Sequence, residues 1–328
     1  YIMMNILFAG TPANSAEILN SLAKVKHINI KGVLTQPDKK GNRGNDIIES
    51  PVAILAKELK LNVFKLESIN QTDLESVLKS LDLDIMIVIA YGKIIPSWLL
   101  ELPSKLSINV HFSVLPKYRG ASPIQSALLN GDNSSGISII KMSESLDGGD
   151  IISSFNVEIS PDDNKLTLEK KLTDKCIEEL PEILDLVESN KIELIKQDGS
   201  GASYCKKIVK SDSIIDFNEK SINIINKFRA YYEWPGLSFL YKDTIIKIHE
   251  IEEVKINTNN KPGTINQLDK TGLYINTIDS VVVITYLQFP NKKIISSSDV
   301  YNSYKISFNK IYFTISLLFL TKSLIYTI

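Results

Sequence analysis

Asn109 and His111 stand two residues apart at the end of an apolar alternation, and Ser113, Pro116, Lys117, Arg119 and Gly120 follow within nine residues. On an extended backbone, side chains two apart leave the same face, so the amide and the imidazole can reach one substrate atom. Pro116 and Gly120 break regular structure, which predicts a loop over residues 113–120 beside that face. A third group comes from Leu146-Asp147-Gly148-Gly149-Asp150, where two glycines beside two acids predict a tight turn at a strand end. These residue types suit acyl transfer. A histidine can give or take a proton near neutral pH, a role worth roughly a hundred- to ten-thousand-fold in rate. Asn109 can donate to an oxyanion, and losing one such donor costs on the order of a hundred- to a thousand-fold. Asp147 can orient the imidazole and favour its charged form. Neither a serine nor a cysteine stands in a nucleophile elbow, so direct transfer to an incoming amine, without an acyl-enzyme, is the expected route. A lone histidine at a strand end is ordinarily a satisfied core residue; Asn109, the Pro/Gly loop and Asp147 together argue for chemistry.

The elements that must hold these groups follow from the periodicity. Apolar runs at 5–9, 28–35, 62–66, 84–90, 136–142 and 151–159 read as strands, and 51–59, 73–81, 124–129 and 166–186 as helices. The run Asp84-Ile85-Met86-Ile87-Val88-Ile89-Ala90 is continuously apolar after its first residue, as a parallel strand buried on both faces would be. Alternation of β and α predicts a doubly wound, mostly parallel α/β sheet with right-handed crossovers over residues 1–190. Residues 191–210, with Asp198-Gly199-Ser200-Gly201-Ala202-Ser203, have linker composition. Beyond it, residues 211–328 hold a helix-like stretch at 221–230 and five short β-patterned segments, which suit a small β-barrel such as the OB type.

The 328 residues suffice for two domains, and 44% hydrophobic with 23% charged residues is ordinary for a soluble protein. Charge is unevenly divided. Residues 1–205 carry 21 Lys and Arg against 27 Asp and Glu, while residues 206–328 carry 16 against 11. A basic second part points to a polyanion. The polar loop 36–50 is locally basic, with Lys39, Lys40 and Arg43 among Gly41 and Gly44, and could track a phosphate backbone. Cys176 and Cys205 make no disulfide framework, three histidines show no zinc spacing, and no metal is expected. The apolar run at 311–321 is too short for the roughly 20 residues that span a bilayer, and is expected as a packing strand or tail. No N-terminal segment combines a basic start with a long apolar core, so no secretory signal is expected and a cytoplasmic protein is.

From about residue 4 to about 303 the chain resembles the methionyl-tRNA formyltransferases. The segments carrying the likeness are FAGTP at 8–12, TQPD at 35–38, RG at 43–44, SPV at 50–52, AYGKIIP at 90–96, INVH at 108–111, LPKYRGASPIQSALLNGD at 115–132, LDGGD at 146–150 and WPG at 234–236. The resemblance implies a Rossmann-like catalytic domain and a tRNA-binding second domain, with 10-formyltetrahydrofolate as co-substrate and initiator methionyl-tRNA as acceptor. It implies catalytic roles for Asn109, His111 and Asp147, and folate contacts at Ser113, Val114, Leu115 and Pro116 and at Ala90, Tyr91 and Gly92. It also implies tRNA contacts at Lys39, Lys40, Arg43, Lys206, Lys207 and Lys210, with Arg43 foremost in the acceptor-stem loop, and a monomer. Phe112 departs from the family's usual small residue, and Asn45 and Asp46 from usual basic ones. The alternatives are a formyltransferase acting on a small amine and a non-catalytic RNA-binding protein.

Overall fold

The computed structural model describes residues 3–40, 46–66 and 71–308. Two units are distinguished, Tyr1–Ala127 with Asp132–Lys207, and Leu128–Gly131 with Ile208–Ile328.

In the first unit seven strands form one sheet: β1 (Met4–Gly10), β2 (Ile28–Leu34), β3 (Val63–Phe64), β4 (Ile85–Ile89), β5 (Leu106–His111), β6 (Ser134–Lys141) and β7 (Ile151–Glu158). Their order is β7-β6-β5-β4-β1-β2-β3. The five strands from β5 to β3 run parallel, while β6 and β7 are antiparallel to their neighbours. The sheet is thus doubly wound and mostly parallel, with a reversal between β1 and β4. All five residues of β4 are buried, as its unbroken apolar run requires of a strand covered on both faces. The expected strand at 62–66 shrinks to Val63–Phe64, which pairs only at the sheet edge.

Helices α1 (Ala13–Leu22), α2 (Pro51–Glu58), α3 (Gln71–Lys79), α4 (Ser97–Leu100), α5 (Pro123–Leu129) and α6 (Lys165–Glu188) join the strands. Ser50 caps α2 by accepting from the Ala53 N–H, with Pro51 opening the helix. Asn164 and Thr167 form a reciprocal capping box on α6, which therefore starts one residue before the expected 166. Its apolar face, including Leu168, Leu172, Cys176, Leu180 and Leu184, is buried. Burial pushes the Cys176 thiol up to about 12, so it is no nucleophile.

Residues 191–210, expected as a linker, are folded onto the first unit over much of their length. Ile195 and Ile151 exchange backbone hydrogen bonds at 2.7 and 2.9 Å, and Tyr204–Cys205 pairs in parallel with Arg119–Gly120. The loop expected at 113–120 therefore ends in a two-residue strand. Pairs this short leave no periodic trace in sequence.

The second unit contains α7 (Ser221–Ala230), β8 (Leu237–Tyr241), β9 (Thr244–Val254), β10 (Ile265–Leu268), β11 (Leu273–Asn276), β12 (Val281–Gln288), β13 (Ile295–Ser296) and α8 (Ser297–Phe308). The strands make an antiparallel sheet ordered β8-β9-β12-β11-β10, with β13 added to β12. Five of the six match the β-patterned segments read from the sequence. Their core includes Phe239, Ile246, Leu273, Ile275, Val282 and Ile284, with Phe217 packed edge-on against Phe239 at 5.9 Å. The apolar run at 311–321 lies outside the described residues.

Candidate active site

β5 delivers Asn109 and His111. Its register is held on one side by Val88 opposite Asn109, and on the other by Ile140 opposite Asn109 and Ser138 opposite His111. With backbone groups committed to both neighbours, the two side chains project where the period of two places them. Asp147 arrives from the turn between β6 and β7. Its carboxylate receives three groups: Asn109 Nδ2 donates to Oδ1 at 3.3 Å, the Gly120 N–H donates to Oδ2 at 2.7 Å, and His111 Nδ1 lies 3.7 Å from Oδ2. A carboxylate only accepts, so the Asn109 amide presents its nitrogen. The structure thus brings the three expected catalytic residues together.

Two glycines make this possible. Gly120 has φ +118°, and a Cβ there would lie 2.4 Å from the Cys205 carbonyl oxygen. At Gly149 a Cβ would fall 1.8 Å from the Lys141 carbonyl oxygen, so the turn that presents Asp147 closes only over glycine. Asp147 itself is left-handed at φ +48°, a conformation costing of order 1–3 kcal/mol for a non-glycine residue.

One partner of His111 has no sequence signal. Nε2 lies 2.8 Å from the Tyr118 carbonyl oxygen, and a carbonyl only accepts, so Nε2 carries the proton and donates it. Tyr118 turns that carbonyl into place through φ +59°. The neutral ring then holds its lone pair at Nδ1, on the Asp147 side. His111 is 7% exposed. Burial holds its pKa below the ordinary 6.5, opposed by the Asp147 charge and the Tyr118 carbonyl. At neutral pH the imidazole is a neutral proton acceptor facing a carboxylate.

The expected folate residues divide. Ser113 is fully buried, its Oγ donating to the Lys117 carbonyl at 2.6 Å, which leaves no free hydroxyl for nucleophilic attack. Leu115 is buried, with its N–H bonded to Ser138 Oγ at 2.9 Å; Val114 and Pro116 are half-buried and Ala90 is exposed. Tyr91 and Gly92 line a cavity of about 480 Å³ with Pro37, Leu66, Lys93 and Ile94. A second cavity of about 420 Å³ was not foreseen. Leu100, Pro103, Leu106 and Met142 give it apolar walls, and Ser97, Glu101, Ser107, Ser143 and Glu144 polar groups. Ser107 is two residues before Asn109, and Glu144 three before Asp147. Phe112 is 6% exposed and packs in the core.

Of the expected tRNA contacts, Lys39 is exposed on a two-residue strand with Lys40, paired with Ile47–Ile48. Lys206, Lys207 and Lys210 are exposed. No ion pair among the described residues engages Lys39, Lys206, Lys207 or Lys210. Arg43 lies outside the described residues. No metal-binding cluster occurs among the described residues, and no helix there is long and apolar enough to cross a membrane.

The Formyl transferase family model matches residues 4–184. The chain belongs to the formyl transferase family. The Formyl transferase C-terminal domain matches residues 207–305, so the likeness extends to both parts. Among relatives, the chain is 41% identical over 303 residues to a methionyl-tRNA formyltransferase of Buchnera aphidicola, covering 92% of this chain and 96% of the relative. It is 39% identical over 306 residues to one from Caldicellulosiruptor saccharolyticus, covering 92% and 98%. Among solved structures, an N-formyltransferase from Helicobacter canadensis in complex with folinic acid and dTDP-3-aminofucose shares the fold. It has a TM-score of 0.62 and 19% identity, over 86% of this chain and 99% of that one. Asn109, His111 and Asp147 all lie within the stretch that the family model covers.

Proposed function

We propose that the chain moves the formyl group of 10-formyltetrahydrofolate to the α-amino group of methionine on initiator tRNA. The observation carrying this reading is the convergence of Asn109, His111 and Asp147, in a chain about 40% identical to methionyl-tRNA formyltransferases over nearly its whole length. The cavity beside Ser107 and Met142, lined by apolar side chains together with hydrogen-bonding groups and the charged Lys105, Lys141, Glu101 and Glu144, is the proposed seat of the folate ring. When bound there, the folate supplies an activated formyl carbon. Asn109 keeps one N–H on Asp147 and offers the other to the formyl oxygen as charge develops on it. His111 Nδ1 takes the proton of the attacking amine and passes it to the departing folate nitrogen. Asp147, held by the Gly120 N–H, stabilises the imidazolium between those two events. The exposed lysines 39, 206, 207 and 210, free of ion pairs among the described residues, supply cationic contacts for the tRNA backbone. Arg43 completes the acceptor-stem loop. The enzyme so described works in the cytoplasm as a monomer.

Incubating the protein with 10-formyltetrahydrofolate and charged initiator tRNA, with free methionine as control, tests the reading. Rapid formylation confined to the tRNA is expected. Equal formylation of free methionine would refute a tRNA substrate, and no formylation of either would refute the activity.

A further inference from the structure

The carboxylate of Asp147 has its partners, but its backbone sits in a left-handed turn that something must hold. Gln197 does so. Its Nε2 donates to the Asp147 carbonyl at 2.8 Å and to the Gly149 carbonyl at 2.7 Å. Its Oε1 accepts from Arg119 Nε at 3.1 Å and Nη2 at 2.7 Å. Guanidinium nitrogens only donate and carbonyl oxygens only accept, so one orientation of the amide satisfies all four bonds. Arg119 is anchored in turn by Tyr204, whose hydroxyl receives Nη1 at 3.3 Å and whose ring lies 5.9 Å from the guanidinium. Arg119 also precedes Gly120, the residue that donates to Asp147 Oδ2.

We infer that Gln197 is a positioning residue for the formyl transfer, locking the Asp147 turn to the Arg119–Gly120 segment so that the carboxylate meets both its N–H donor and His111. This rests on the catalytic role proposed for Asp147. The same stretch holds the other side of the site: Ser203 Oγ accepts from the Tyr118 N–H at 2.9 Å, and the Ser203 carbonyl accepts from the Arg119 N–H at 2.8 Å. Without Gln197 two carbonyls of a strained turn lose their donor, and the carboxylate shifts relative to the imidazole. A displacement near 1 Å is enough to cost on the order of a hundredfold in rate.

The test is a double-mutant cycle on the full-length protein, read by single-turnover formylation of methionyl-tRNA. Gln197→Met keeps the length and removes all four bonds. Gln197→Glu keeps the acceptor for Arg119 and removes only the donor to the turn, which serves if the first variant folds poorly. Either should lower kcat about 10- to 100-fold, with KM for tRNA and folate within about twofold. In an Asp147→Asn background neither should lower the residual rate further, because the group being positioned is already gone. Full activity in both variants would overturn the inference. So would multiplicative losses in the Asp147→Asn background, or losses explained by the folded fraction alone. An inactive wild-type protein would overturn the functional reading itself and this inference with it.

Discussion

Replacing Asp147 by asparagine keeps the volume of the side chain and removes its charge, and the contacts of the carboxylate set the outcome. Oδ1 and Oδ2 both accept hydrogen bonds, from Asn109 and Gly120. An amide can satisfy one of these donors only by turning its own NH₂ on the other, at a cost of about 1–3 kcal/mol for an unsatisfied partner. The larger effect is on His111. At the 3.7 Å between Nδ1 and Oδ2, and with an effective dielectric of about 20, carboxylate and imidazolium attract by about 4.5 kcal/mol. At about 1.4 kcal/mol per tenfold, a transition state carrying that proton on His111 loses roughly 10³-fold in rate. The sign for the ground state comes from the same contact. Asp147 opposes the desolvation that lowers the His111 pKa, so its removal should lower that pKa further. Single-turnover formylation with saturating substrates gives the rate, and NMR titration of the His111 ring gives the pKa. A rate within about threefold of wild type, or a His111 pKa that rises in Asp147→Asn, would refute this account of how the two residues cooperate.

Three other outcomes are expected. Because burial holds the folded-state pKa of His111 below 6.5, the unfolded chain binds more protons over that window. The stability it contributes is then present above about pH 6.5 and is lost as pH falls toward the lowered value. Thermal melts of wild type and His111→Gln between pH 7.5 and 5 should diverge accordingly, with the shallower acid decline in the variant; parallel declines would contradict it. Leu100→Trp should fill much of the cavity beside Met142 and raise KM for the folate at least tenfold while sparing KM for tRNA, and steady-state kinetics with each substrate varied separates the two. Lys206→Ala with Lys207→Ala should weaken tRNA binding and flatten its dependence on log salt by roughly 1–2 units, measured by filter binding at several salt concentrations.

How far the site could be read from sequence depends on what kind of atom does the work. Asn109 and His111 were legible because a period of two puts both side chains on one face, and Asp147 because an acid among glycines marks a turn. The doubly wound sheet was legible from a different signal, the unbroken apolar run at 85–89 within an alternation of β and α segments. The Tyr118 carbonyl was not, since a backbone oxygen has no residue type and its direction comes from a left-handed φ that nothing in Lys117-Tyr118-Arg119 announces. Gln197 was hidden differently. It lies 50 residues from Asp147 in chain order, next to Asp198-Gly199-Ser200-Gly201, whose composition says linker although Asp198 folds it into a short 3-10 turn by accepting from the Ser200 N–H. Hydrogen bonds between distant segments follow no period, and the strand pairs they support are too short to leave one. The cavity beside Met142 escaped notice because its walls come from three separate segments: α4 with the residues after it, the start of β5, and the end of β6 with the residues just beyond.

The pairing of Tyr204–Cys205 with Arg119–Gly120 also orders events in time. Translation delivers a chain from its N-terminus at roughly 5–20 residues per second, so Asn109, His111 and Asp147 leave the ribosome seconds before Gln197, Ser203 and Cys205 do. During that interval the nascent protein carries all three proposed catalytic residues and none of the segment whose hydrogen bonds hold the Asp147 turn and the Arg119–Gly120 strand, so on the positioning role inferred for Gln197 activity waits for a later stretch of chain.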